Sequence, residues 1–133
     1  MKPSLKPGLA HTKKLTVDEP RVINFMGDYC RVYATPRIIS DVEYTCRNFL
    51  LEHLDPGEDS VGTKVNWEHV GPALLGAEIT ISIKLIGVDG RRVTFEAAVA
   101  EGADAVARGT HERFIVEVQK VRERLLKKKA QRN

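Results

Sequence analysis

Between positions 36 and 54 the apolar residues recur three and four apart, as Ile38, Ile39, Val42, Cys46, Phe49 and Leu50. That spacing predicts a helix with a wide oily stripe, which must be buried. Thr35 and Pro36 suit its start: the hydroxyl can cap, and proline at the first turn gives up an N–H that has no helical partner. Pro56-Gly57 closes it. Glu43 lies on the margin of the stripe, one turn from Ile39 and Cys46. No other stretch carries so large an apolar face at helical spacing, so this is the core helix.

After it the period changes to two. Residues 60–70 place Val65, Trp67 and His69 on one side of a strand. Residues 77–86 set Ile79, Ile81, Ile83 and Leu85 against Glu78, Thr80, Ser82 and Lys84. Asp89-Gly90 is a two-residue hairpin turn, and residues 92–100 return with Val93, Phe95, Ala97 and Val99 inward. Gly102-Ala103-Asp104 turns again into a last long strand over 105–118. Residues 116–130 read as a terminal helix touching the rest through Val121, Leu125 and Leu126. Ahead of the core helix, 14–18 alternates weakly around Leu15 and Val17 as a first strand, after a loose lead-in over 1–12. Residues 19–31 have no steady period and read as a loop or short helical turns.

The order is therefore strand, loop, long helix, four strands in a meander and a short helix, an α+β arrangement in one domain, 1–133. An antiparallel sheet with one oily face needs a cover, and only the long helix can supply it. The expectation is a curved sheet wrapped around one helix, with open edges that invite pairing between two copies.

Composition narrows the function classes. A formal charge of +3 is too small to argue for nucleic acid, and Lys127, Lys128, Lys129 and Arg132 read as a solvated helix end. Cys30 and Cys46 lack metal-type spacing and read as reduced, partly buried thiols. His11 and His53 show no metal spacing with any carboxylate, so no metal is expected. No apolar run reaches signal-peptide or membrane-span length, and the chain reads as cytoplasmic, with no membrane partner.

Four pieces taken together resemble a known family. They are VYATP followed by Glu43, then GEDSVGTKVNWEHVGPALLGAEIT, then VDGRRVTFEAAV, then ARGTHERFIV. In order and spacing they are similar to the hot-dog thioesterases of the fluoroacetyl-CoA thioesterase type, over about residues 30–118. The resemblance implies a hot-dog fold and hydrolysis of acyl-CoA thioesters without a cofactor. It also implies a homodimer, with a dimer of dimers left open, and sites at the dimer interface. It places the family's catalytic threonine, glutamate and histidine on Thr35, Glu43 and His69. Gly62 falls on a glycine expected to bring backbone close to the thioester, and Arg113 on an arginine expected near the substrate. The chain departs from the pattern at Arg37 and Asp41, where small or apolar residues are usual, and in the lid-like residues 25–31.

The chemistry is coherent with those roles. Thioester hydrolysis needs an attacking oxygen, a base for its proton and donors for the developing oxyanion. A carboxylate at the edge of an oily helix suits the base, and Glu43 could activate water or attack directly. His69 could bond the carboxylate or handle the proton of the leaving thiolate. Thr35 could hold water or substrate beside the N–H groups of the helix start. Spacing alone also allows plainer readings. Glu43 could pair with Arg47, His69 could be a core histidine, Thr35 a helix cap, and His111 and Arg113 cross-strand partners. Arg91-Arg92, with Lys64 and Lys84, could hold CoA phosphates or simply be solvated. Two other functions fit the same scaffold: a non-catalytic acyl-CoA or small-ligand binding module, and a hot-dog dehydratase or hydratase.

Overall fold

The computed structural model describes residues 1–132; Asn133, the last residue of the expected domain, lies outside the described residues. Helix α1 spans Thr35–Leu51. It buries Ile38, Val42, Thr45, Cys46, Phe49 and Leu50 on one side. These are the positions that 3.6 residues per turn aligns. Around it lies a five-stranded antiparallel sheet of β1 (Ala10–Thr16), β2 (Glu58–His69), β3 (Glu78–Asp89), β4 (Arg92–Glu101) and β5 (Asp104–Glu117). Strands β3 and β4 turn Ile79, Ile81, Ile83, Leu85, Val93, Phe95 and Val99 onto the helix, all buried. Helix α2 (Val118–Ala130) follows β5. This is the hot-dog architecture.

Three departures from the sequence reading have physical causes. The strand order is β1-β3-β4-β5-β2, so the meander has three strands, not four, and β2 crosses over to pair with β5 at the far edge. Alternation tells which residues face inward but not which strand is the neighbour. Strand β1 begins at Ala10, earlier than expected, because its exposed residues His11–Lys14 are held by backbone pairing to β3 rather than by an oily face. The lead-in before it is fastened too: the Lys2 N–H donates to the His53 carbonyl at 2.9 Å, and Leu5 is buried. Finally, α2 packs only loosely. Val121 is half-buried, whereas Leu125 and Leu126 are exposed rather than in contact with the sheet.

Residues 19–31 form two short 3-10 turns, Glu19–Arg21 and Asp28–Cys30, as expected. Asp41 explains itself here. Its carboxylate accepts from Arg21 Nε at 2.9 Å and Nη2 at 3.1 Å, and from the buried Tyr33 hydroxyl. Burial, and then Asp41, raise Tyr33 above the usual phenol range. Cys30 is exposed, not partly buried, while burial pushes the Cys46 thiol up to about 12.

Candidate active site

The sequence-derived site residues form two groups. The first stands at the start of α1. Thr35 is already helical, with Ala34 at the cap position and no side-chain capping bond. Its hydroxyl instead meets His69 Nδ1 at 2.7 Å, joining the first turn of α1 to the last residue of β2. His69 is half-buried, so it is not a sealed core histidine. The expected run of free N–H donors is shorter than the sequence suggested: Arg37 and Ile38 both donate to the Ala34 carbonyl, and Pro36 has no N–H.

The second group lies two turns further along α1, where a cleft of about 550 Å³ opens between the helix and β2. Ser40, Glu43, Tyr44 and Arg47 line it from the helix, and Ser60, Val61, Gly62 and Arg113 from the sheet. Gly62 permits the close approach: a Cβ built there would sit 2.8 Å from Glu43 Oε1 and 3.2 Å from His111 Cε1. The register of β2 against β5 shifts between Gly62 and Lys64, leaving Thr63 as the extra residue of a bulge. The Glu43 side chain is 39% exposed in the single chain, so its desolvation is partial.

Arg47 is not the partner of Glu43. It reaches β2 and bonds Asp59 twice, through Nε at 3.0 Å and Nη2 at 2.7 Å. The Arg47 bonds hold the Asp59 carboxyl below its ordinary value, burial opposing and the Ser60 N–H assisting. A depressed carboxyl stabilises the fold above the unfolded carboxylate pKa and loses that contribution as pH falls through the folded value. Arg47→Ala is therefore expected to lose less stability than the wild type between about pH 4 and pH 2. Urea melts across that range check it, with an effect of about 0.5–1 kcal/mol because both partners are partly exposed.

Two buried polar residues on β5 complete the group. Arg113 donates from Nε to Ser60 Oγ at 2.7 Å and from Nη2 to the Ser60 carbonyl at 2.8 Å. Burial pulls its guanidinium below the usual range, Glu43 opposing. His111 was visible in the sequence only as a cross-strand residue beside Arg113; it is 1% exposed and faces the Glu43 carboxylate at 4.0 Å. Burial pushes its ring below the ordinary histidine value; the Lys64 carbonyl opposes that shift, and the Arg113 charge adds to it. The signal that could have revealed His111 is a histidine and an arginine on the inward face of a strand that otherwise carries Ala107 and Ile115.

The structure thus joins Thr35 to His69, and Glu43 to Gly62, His111 and Arg113. It does not join one group to the other within a chain. Gly62 and His69 stand seven residues apart on one strand, about 23 Å at the usual rise. Of the basic residues considered for CoA phosphates, Arg91 is engaged by Glu58, Glu117 and the Ile115 carbonyl.

The family model described as fluoroacetyl-CoA-specific thioesterase matches residues 17–119. A fluoroacetyl-CoA thioesterase of Streptantibioticus cattleyicolor is 26% identical over 127 residues, covering 90% of this chain and 91% of that protein. A crystallised point variant of the fluoroacetyl-CoA-specific thioesterase FlK aligns with a TM-score of 0.86 at 25% identity, over 96% of this chain and 99% of the other. A Thermus thermophilus hypothetical protein described as a thioesterase superfamily member aligns at 0.87 with 24% identity, over 96% of each chain, and shows the shared fold.

Proposed function

Since the chain belongs to the fluoroacetyl-CoA-specific thioesterase family and is a thioester hydrolase, we propose that it hydrolyses a small or medium acyl-CoA at a site completed by a second copy of itself. The observation that carries this reading is the split of the site residues into two groups along β2, an edge strand. An edge strand twelve residues long, with Val61 and Val65 exposed on it, is a ready template for pairing. If two β2 strands pair antiparallel with Gly62 opposite His69 of the partner subunit, each Glu43 comes to face a Thr35–His69 pair. Two such sites per homodimer follow from the symmetry.

In that site Glu43 takes a proton from water as the oxygen adds to the thioester carbonyl, or attacks the carbonyl itself to form a mixed anhydride that water then hydrolyses. The tetrahedral intermediate collapses with cleavage of the C–S bond. The CoA thiolate leaves with a proton that His69 of the partner subunit is placed to supply, its ring oriented by Thr35. The products are a carboxylate and free CoA. Phe25, Met26, Tyr29 and Leu74 are exposed apolar side chains in the segment that precedes α1 and in the one that bridges to that segment, and we assign them to the acyl side of the substrate.

The test is a panel of acyl-CoA thioesters of increasing chain length, with released CoA read by a thiol reagent. Turnover is expected for the short members. Thermal stabilisation by acyl-CoA without turnover would support the binding-module reading instead.

A further inference from the structure

Strand β5 turns His111, Arg113 and Ile115 toward α1, and only the last is what an oily inner face requires. The His111 ring is fixed in one tautomer. Its Nδ1 lies 2.9 Å from the Lys64 carbonyl, and a carbonyl only accepts, so Nδ1 carries the hydrogen and Nε2 the lone pair. That lone pair faces Arg113 Nη1 at 3.2 Å. With Nε and Nη2 bonded to Ser60, each nitrogen of the guanidinium makes one bond, and the orientation of the group is fixed by three of its five N–H donors.

The geometry around Gly62 shows what this commitment prevents. A Cβ at Gly62 would lie 2.8 Å from Glu43 Oε1 and 3.5 Å from Arg113 Nη1, so both groups border the same small volume. Yet among the described residues the nitrogen of an ionisable side chain within 4.0 Å of Glu43 is Nε2 of the neutral His111 ring, not one of Arg113. A carboxylate gripped by a buried arginine is a weak base and a weak nucleophile.

We propose that His111 is a positioning residue that keeps Arg113 off Glu43 by accepting one Nη1 hydrogen and so holding the guanidinium turned toward itself and Ser60, leaving the carboxylate free for the thioester. The same ring ties down the Lys64 carbonyl beside the Thr63 bulge, and so holds Gly62 where the cleft needs it. This role rests on the proposed part of Glu43 in hydrolysis.

Two amides separate the two bonds of the ring. An asparagine reproduces the Nδ1 donor but not the Nε2 acceptor; a glutamine reproduces the acceptor but not the donor. H111N is expected to lower kcat at least tenfold with little change in KM, and to move the acid limb of the pH–rate profile to lower pH. H111Q is expected to stay within about threefold of wild-type kcat. A crystal structure of H111N is expected to show an Arg113 nitrogen within about 3 Å of a Glu43 oxygen. Equal loss of kcat in both variants overturns the proposal, because a packing role treats the two amides alike. Unfolding of both does so for the same reason, and unfolding of H111N alone shows that Arg113 finds no partner in Glu43. The Arg113–Glu43 contact keeps this test distinct from the hydrolytic reading. An inactive wild type sinks that reading, whereas an absent contact in H111N sinks the role of His111 whether or not the wild type turns over.

Discussion

Glu43→Gln is expected to lower kcat for acyl-CoA hydrolysis by roughly 10³-fold, the scale of losing a general base or nucleophile outright. The substitution keeps the shape of the side chain and removes its ability to take a proton. It disturbs little else: no hydrogen bond to Glu43 is made within the chain among the described residues, and no Lys or Arg among them makes an ion pair with it; the neutral His111 ring is 4.0 Å away. The melting temperature is therefore expected to stay within about 2 °C of the wild type, because substitutions away from a network cost little. Steady-state kinetics on the best member of the acyl-CoA panel, with a thermal melt on the same preparation, is the measurement. A variant that keeps more than a tenth of wild-type kcat removes Glu43 from the reaction.

Mixing two inactive variants gives the second large effect. In the proposed composite site Glu43→Gln breaks one half and His69→Ala the other. Alone, each is expected to give homodimers in which both sites are broken. Refolded together from urea, half the dimers pair one chain of each kind. Each heterodimer then holds one intact site, because the unaltered Glu43 faces the unaltered His69 of the partner subunit. Recovery of about a quarter of wild-type activity is expected from that statistics. Were Glu43 and His69 to act within one chain, every site in the heterodimer would be broken and nothing would return. Native mass spectrometry confirms that the mixed species formed, so a failure to recover activity counts against the composite site itself.

Some of this architecture can be read from residue order and some cannot. The stripe from Ile38 to Leu50 has only one use, and the alternation of Ile79, Ile81, Ile83 and Leu85 fixes which side of β3 faces the helix. Asp89-Gly90 announces the hairpin one residue early: Asp89 pairs with Arg92 as the end of β3, so the two loop residues are Gly90 and Arg91, and Gly90 alone takes positive φ, +59°. The position of β2 at the edge is not encoded in its own alternation; it follows from which strand has a free side once the three-strand meander has formed. The bulge at Thr63 is equally silent, since one extra residue changes no composition. At the site, local spacing favours a Glu43–Arg47 pair, because residues four apart on a helix are neighbours. Asp59 outcompetes it by offering two oxygens to the fork of the guanidinium. Thr35 likewise trades capping for the His69 ring, a partner thirty-four positions away that no local rule anticipates.

The clamp of Arg21 and Tyr33 on Asp41 carries a consequence for how such proteins diversify. Residues 22–32 are closed at their base by the Ile23–Val32 backbone bond, and the Ala34 N–H donates to the Arg21 carbonyl. Exposed Phe25, Met26 and Tyr29 project from a segment whose ends are already fixed. On the proposed reading, their identities can drift without disturbing Thr35, Glu43 or His69. Selection on acyl preference would then act on a handful of tip residues and leave the proposed hydrolytic groups unchanged.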